Sequence, residues 1–443
     1  MSQKPDPNHF SRRDFVKGSA ALVGGALISQ FPVGAGAYAA GTDAIKVAVI
    51  GCGGRGTGAA DQALKTKENV KLVAMVDAFK DRLDESYKNL TTKYPGKDKV
   101  DVPEKNRFVG FDGYKQAIAL ADVVILATPP GFRPLHFEEA VRQGKHVFME
   151  KPVAVDAPGI RRVLAAAEIA KQKKLNVVVG LQRRYQLHYR EALKRLNDGA
   201  IGEVTGGQVY WNDAGVWVRP RVAGQTEMEY QMRNWYYFVW LCGDHILEQH
   251  VHNIDVANWV KNGYPVQASG MGGRQVRNGK DHGEIFDHHA VEFTYADGAV
   301  ISSQCRHMPG CAKKVAESFQ GTKGKVDLSD SNRAVVTDWK GNALWSHRAK
   351  DDPNPYQVEH DELFAAIRSG SPYINNAEYG AKSTMTAIMG RMATYTGQVI
   401  TWDEALNSTV SLLPTTFAWD APTPTKPDAN GMYPVPVPGK SKA

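Results

Sequence analysis

Four cysteines in 443 residues, none at C-x-x-C spacing, are too few for a disulfide scaffold. Cys305 and Cys311 lie close enough in the chain to pair in an oxidising compartment, and the sequence leaves that open. The body has no block of lysine or arginine, which argues against a nucleic-acid partner despite a net charge of +7. Part of that charge lies early: Lys4, Arg12, Arg13 and Lys17 face only Asp6 and Asp14 in residues 1–39, and the rest of the chain carries +5. Long apolar runs are also missing. The stretch from Gly18 to about Phe31 is interrupted by glycines and is short for a membrane anchor.

Two domains with sizeable cores fit a chain of this length. Ser11-Arg-Arg-Asp-Phe-Val-Lys17, a moderately apolar run and the small-x-small site Ala37-Tyr-Ala39 form a twin-arginine signal over 1–39. The expected partner is therefore the twin-arginine export machinery, and the expected location is periplasmic or otherwise exported.

The most informative stretch is Ile45 to Gly58. A short apolar strand, Ile45–Ile50, leads into Gly51, Gly53 and Gly56 at G-x-G-x-x-G spacing, with Gly54 and Arg55 inside the loop. The first glycine permits a tight turn, the second a close approach of backbone to pyrophosphate, and the third close helix packing. A second strand, Lys71–Val76, ends in Asp77, about 20 residues beyond the last glycine, where a carboxylate takes ribose hydroxyls and favours NAD over NADP. A protein exported already folded meets little free nucleotide, so NAD is expected to stay bound. Further strands end at Thr128-Pro129, followed by a helix holding His136, and at Glu150-Lys151-Pro152. Ligands bind at that end of an open parallel sheet.

These motifs resemble the Gfo/Idh/MocA family, which includes glucose-fructose oxidoreductase and inositol dehydrogenase. The resemblance spans roughly residues 44–405, including Gly199-Ala-Ile-Gly-Glu203. It implies an α/β chain: an N-terminal Rossmann dinucleotide-binding domain over 44–175, then a C-terminal α+β domain over 176–405 with a large open, mostly antiparallel sheet. Residues 356–405 are expected to include helices near the nucleotide domain. Consecutive strand signals after Val204, such as Ala290–Ile301 around an Asp-Gly turn, agree independently. The helix Pro158–Lys174 and the strand Asn176–Gly180 close the nucleotide domain and lead into Leu181–Tyr185. Expected cofactor contacts are Gly51, Gly53, Gly54, Arg55, Gly56, Asp77, Thr128, Pro129, His136, Glu150, Lys151 and Gln182.

In Gly243–Trp259, a continuous helix places Glu248, His252, Asp255 and Trp259 on one face. The family pattern has an Asp where this chain has Glu248, a Gly at His250, a His at His252 and an Asp at Asp255. Lys151 is the candidate donor to a developing alkoxide, His252 the base titrating in the right range, and Glu248 the group that orients substrate or imidazole. Arg184, Trp235, His245 and Asp255 are candidate substrate contacts. His245, His250 and His252 beside an acid also resemble a metal site, although i, i+2 histidines on a helix cannot face one point; no metal is the favoured expectation. The aromatics from Trp211 to Trp240 suit a sugar platform or core packing equally. The proline-rich tail, 413–443, reads as an extended arm over a neighbouring subunit in a homo-oligomer, dimer or tetramer. The expected function is that of an exported NAD-dependent oxidoreductase acting on a secondary hydroxyl of a sugar, glycoside or cyclic polyol. A redox-neutral glycoside hydrolase of the same family is one alternative, and Lys151 argues against it because those relatives lack that lysine. A non-catalytic sugar-binding or structural protein is the other.

Overall fold

The computed structural model describes residues 43–329, 333–348 and 350–442. The expected export signal over 1–39 lies outside them. The first sheet comprises β1 (Ile45–Ile50), β2 (Val70–Asp77), β3 (Arg107–Val109), β4 (Val123–Leu126), β5 (His146–Met149) and β6 (Val177–Val179). All its pairings are parallel, in the order β3-β2-β1-β4-β5-β6. Helices pack on both faces, and β4, buried throughout, reads Val-Val-Ile-Leu without a polar residue. Strand order reverses between β1 and β4, and ligands bind at the carboxyl ends beside such a reversal. Because β6 belongs to this sheet, the first domain extends past the expected boundary at 175.

The second sheet has nine strands, ordered β14-β13-β12-β11-β7-β10-β9-β8-β15. They are β7 (Val204–Asp213), β8 (Gln267–Gly273), β9 (His288–Thr294), β10 (Val300–His307), β11 (Lys314–Gly321), β12 (Gly324–Ser329), β13 (Arg333–Asp338), β14 (Ala343–Arg348) and β15 (Ile400–Thr401). Only β7 and β10 pair in parallel; the rest of the sheet is antiparallel. The expected hairpin closes between β9 and β10 through the Tyr295–Ala299 hydrogen bond, with Gly298 at φ +84°. The Pro355–Ser369 helix returns to pack on the first domain's Gly54–Lys65 helix, and Ala377–Thr396 packs on β8. Among the described residues no helix is long and apolar enough to cross a membrane.

The tail differs from the arm expected over a neighbour. It lies on its own chain: Leu412 donates its N–H to Asp156, Gln231 donates to the Thr425 carbonyl, and Tyr433 donates to Glu227. Its apolar residues decide this, since Phe417 and Trp419 find aromatic partners within the same chain. All four cysteines are free; Cys305 is buried and Cys311 exposed, so that pair is not formed.

Candidate active site

A single cavity of ≈ 550 Å³ runs along the carboxyl ends of β1, β2, β4 and β5. Its floor is the glycine loop. Gly51 sits at φ +96°, and a side chain there would meet the Thr128 nitrogen at 2.6 Å. A Cβ on Gly56 would lie 1.8 Å from the Gly51 carbonyl oxygen, so this glycine packs helix against strand and does not line the cavity. Gly53 and Gly54 do line it, and a Cβ on either would meet nothing within 4 Å. The open space over the amino end of the Gly54–Lys65 helix suits a pyrophosphate. Asp77 closes the β2 side, one oxygen accepting the Cys52 N–H at 2.7 Å and the other the Phe79 N–H at 2.9 Å. Each oxygen keeps acceptor capacity for a ribose hydroxyl, and burial pushes the carboxyl up from its ordinary value. The donor set therefore fits a dinucleotide.

Thr128, Pro129, His136, Glu150, Lys151 and Gln182 line the same cavity. Burial takes His136 down to about 3, so the ring is neutral, 3.3 Å from the Thr128 hydroxyl and packed on Tyr114. Arg55 also lines the cavity, but its guanidinium is engaged elsewhere. It pairs with Glu150, reaches Gln62 at 2.7 Å and Glu359 at 3.1 Å, and lies 5.0 Å over the Tyr356 ring. Its contribution is to brace Glu150 from beneath the loop.

The chemistry is concentrated at the end of β5. Lys151 Nζ donates to the Glu248 carbonyl and lies 3.6 Å from Glu248 Oε1. Burial pushes Glu248 up to about 7, against the opposing pull of Lys151 and Arg133. Its Oε2 has no hydrogen-bond partner within the protein. His252 behaves differently from the expectation. Burial, reinforced by Lys151 and Arg183, drives its pKa well below the ordinary imidazole range, so it stays neutral where Glu248 titrates. Its Nδ1 is also without a partner, and its ring lies 6.0 Å from that of Trp211. A buried carboxyl near 7 beside an ammonium is equipped to accept a hydroxyl proton at neutral pH.

The expected continuous helix is interrupted. His245–Glu248 and Val251–Lys261 are separate helices, and the His250 N–H reaches back five residues to the His245 carbonyl at 3.1 Å. Glu248 and His252 both line the cavity, whereas three expected substrate contacts, Arg184, His245 and Asp255, do not. Asp255 is buried and takes a two-pronged salt bridge from Arg184 at 2.8 and 2.9 Å, plus the Ser383 hydroxyl. Arg184 is thereby a structural partner of Asp255. His245 is buried against Asp244, its Nδ1 2.7 Å from the carboxylate, and burial lowers it to about 4. His250 bonds Ser303 at 2.8 Å, so the three histidines point to three places.

A different trio, Asp244, His245 and His289, brings its ligand atoms within 4.8 Å of one another. The Asp244 carboxylate is already filled there. It faces the backbone N–H groups of His245 and Phe286, the Tyr395 hydroxyl, and ring nitrogens of His245 and His289. Despite its burial, these partners hold it well below the usual carboxylate range. This arrangement is a buried hydrogen-bond hub that anchors the start of the His245–Glu248 helix.

Trp235 lines the cavity, with Trp217 in edge contact at 5.9 Å. Their segment is docked over the β2 end, where Arg233 pairs with Asp81 at 2.7 Å and stacks 3.8 Å over Phe79. The tail adds a second layer: Trp419 lies 5.0 Å from Phe79 and 4.6 Å from Phe111, both cavity residues. Sequence reasoning missed Phe79, Phe111 and Arg133 as cavity residues. The available signal for Arg133 was a lone cation at the start of an otherwise apolar helical turn.

The fold is shared with solved enzymes. An aldose-aldose oxidoreductase from Caulobacter crescentus, solved with glycerol, superposes with a TM-score of 0.64 at 20% identity, covering 81% of this chain and all of that one. A scyllo-inositol dehydrogenase from Lactobacillus casei, solved with NAD(H) and scyllo-inositol, gives 0.61 at 21% identity over 82% of this chain and all of that one. In sequence, an inositol 2-dehydrogenase from Rhizobium meliloti is 24% identical over 263 residues, 58% of this chain and 73% of its own length. Residues 45–181 match the oxidoreductase family with an NAD-binding Rossmann fold, and residues 189–327 match the GFO/IDH/MocA C-terminal domain. With both halves matched in order, the chain belongs to the GFO/IDH/MocA oxidoreductases, and its first domain is their NAD-binding domain.

Proposed function

We propose that this protein is a dehydrogenase that oxidises one secondary hydroxyl of a sugar, glycoside or cyclic polyol to a ketone, using NAD. One observation carries the reading: Lys151, Glu248 and His252 meet in the same cavity as the glycine loop and Asp77. Bound NAD supplies the acceptor for the carbinol hydrogen as hydride. The protein's part is the proton and the geometry. Glu248 as carboxylate takes the hydroxyl proton, while the Lys151 ammonium, a short reach away, stabilises the developing alkoxide. Neutral His252, on the wall of the same cavity, holds the hydroxyl in line, and Trp211 beside it offers a flat face to a sugar ring. The sugar and inositol enzymes named above support this substrate class.

We also propose that NAD is retained and that the protein is exported by the twin-arginine route. Retention is supported by the double cover on the β2 side, Arg233 on Asp81 and Trp419 on Phe79 and Phe111. Export is supported by Ser11–Lys17 and Ala37–Ala39. Mass spectrometry of protein purified from its native compartment tests both: tightly held NAD and an amino terminus near residue 40 are expected. A panel of sugars and inositols, read by absorbance of the reduced nicotinamide, tests the reaction. Nucleotide-free protein that oxidises no member of the panel with added NAD overturns the reading.

A further inference from the structure

Arg133 is 1% exposed, yet it lines the cavity. It stands at the first residue of the Arg133–Arg142 helix and reaches back to two turns at once. One terminal nitrogen donates to the Pro152 carbonyl at 3.0 Å, and the other donates to the Thr128 carbonyl. Those carbonyls belong to the turns that follow β5 and β4, and Lys151 immediately precedes Pro152. Both turns line the cavity, so a shift of one against the other moves the Lys151 backbone relative to the nucleotide floor. An arginine suits this task, because its planar fork satisfies two acceptors in fixed directions, whereas a lysine offers a single point of charge.

Arg133 and Glu248 also line the same cavity. The groups around that carboxyl are Lys151 and Glu150 from the β5 turn, Arg133 from its own helix, Tyr236 from the turn before, and Cys242 from the helix preceding His245. Burial pushes Tyr236 and Cys242 well above their usual values, so both are neutral where Glu248 titrates. Two cations, Lys151 and Arg133, therefore oppose the burial of the Glu248 charge.

We propose that Arg133 is a positioning residue for proton transfer: its fork holds the Lys151 turn against the Thr128 turn, and its charge favours the Glu248 carboxylate on the wall of the same cavity. The proposal rests on the reading of Lys151 and Glu248 as the proton-handling pair. Removing the cation makes Glu248 harder to ionise, and removing the fork lets Lys151 drift.

Two variants separate these parts. In Arg133→Met, kcat is expected to fall about 10- to 100-fold, and the acid limb of its pH profile to move up by about one unit. In Arg133→Lys, the limb should return close to the wild-type position while kcat stays depressed. NADH affinity, titrated by fluorescence, should remain within about threefold of wild type in both, since neither part holds the nucleotide directly. Difference infrared spectroscopy of the carboxyl band, with Glu248→Gln as the blank, reads the Glu248 midpoint without any substrate. An unmoved midpoint in Arg133→Met, or full kcat in Arg133→Lys, overturns the proposal. So does a lowered melting temperature with both pH readouts unchanged, which is the signature of a merely structural arginine. If Arg133→Met does not fold, Arg133→Lys decides alone, by depressed kcat with intact NADH binding and an unmoved midpoint; any other result there overturns the proposal. Failure of the underlying reading looks different, because Lys151→Ala would then turn over normally whatever Arg133 does.

Discussion

The two ends of the cavity are built on different physics. At the glycine loop the backbone and the absence of side chains do the work: Gly51 and Gly56 are small because neighbouring backbone occupies the place of a Cβ, and Gly53 and Gly54 because space must stay open. Around Lys151 and Glu248 the site depends on buried charge, with Glu248 held near 7 by burial against two cations. A site made of shape tolerates changes of pH and fails sharply on added volume. A site made of charge tolerates small changes of volume and responds to every proton.

The sharpest test of the charged end is Lys151→Ala, expected to lower kcat about 10²- to 10⁴-fold with NAD still bound; loss of NAD binding instead would show that both ends depend on this lysine. For the shaped end, Gly56→Ala forces a methyl to within 1.8 Å of a carbonyl oxygen. It should cost about 3 kcal/mol or more in urea unfolding, with no change in the pH profile of whatever enzyme remains.

Glu248→Gln then separates the ends by pH. The wild-type kcat should rise through an acid limb centred near pH 7, because Glu248 must be ionised to accept a proton. The variant should lose about 100-fold at pH 8 and show no such limb. Stability moves the opposite way. A carboxyl raised to about 7 binds its proton more tightly in the folded state, so that contribution is fully present below the unfolded value and is lost as pH rises through 7. Denaturation of wild type against Glu248→Gln between pH 5 and 8 checks the sign, since the wild type alone should weaken. The smallest expected effect concerns the cover. Trp419→Ala should speed NAD exchange by several-fold, measured by displacement of bound NADH, and leave kcat within about twofold.

The nucleotide end was readable residue by residue because its determinants are local. One strand, one loop and one following strand place Gly51, Gly53 and Asp77, and each needs only its neighbours in sequence to be recognised. The catalytic end was readable in its members but not in its arrangement. A helical wheel put Asp255 with Glu248 and His252, but Asp255, three residues after His252 on the Val251–Lys261 helix, is buried and taken up by Arg184 from a segment far away in the chain. The imidazole expected to titrate near neutrality is held neutral by burial, a property of everything packed around His252 rather than of its own segment. Arg133 was missed because its two acceptors, the Thr128 and Pro152 carbonyls, come together only when β4 and β5 pair. The proline-rich tail was read from composition, which reports stiffness; its course over Phe79 and Phe111 depends on where those rings end up.

By itself the amino-acid sequence determined the class of fold and the nucleotide, and it singled out the lysine, glutamate and histidine that meet in the cavity. The nucleotide and the first sheet follow from apolar periodicity and glycine spacing, and the second sheet and the three polar residues from the resemblance of short stretches to the Gfo/Idh/MocA family. Which of those groups titrates, which histidine and acid serve only the core, and what covers the cavity were decided by the tertiary structure. The reason is that desolvation and charge pairing depend on distances between segments far apart in the chain, and those distances exist only once the two sheets have packed.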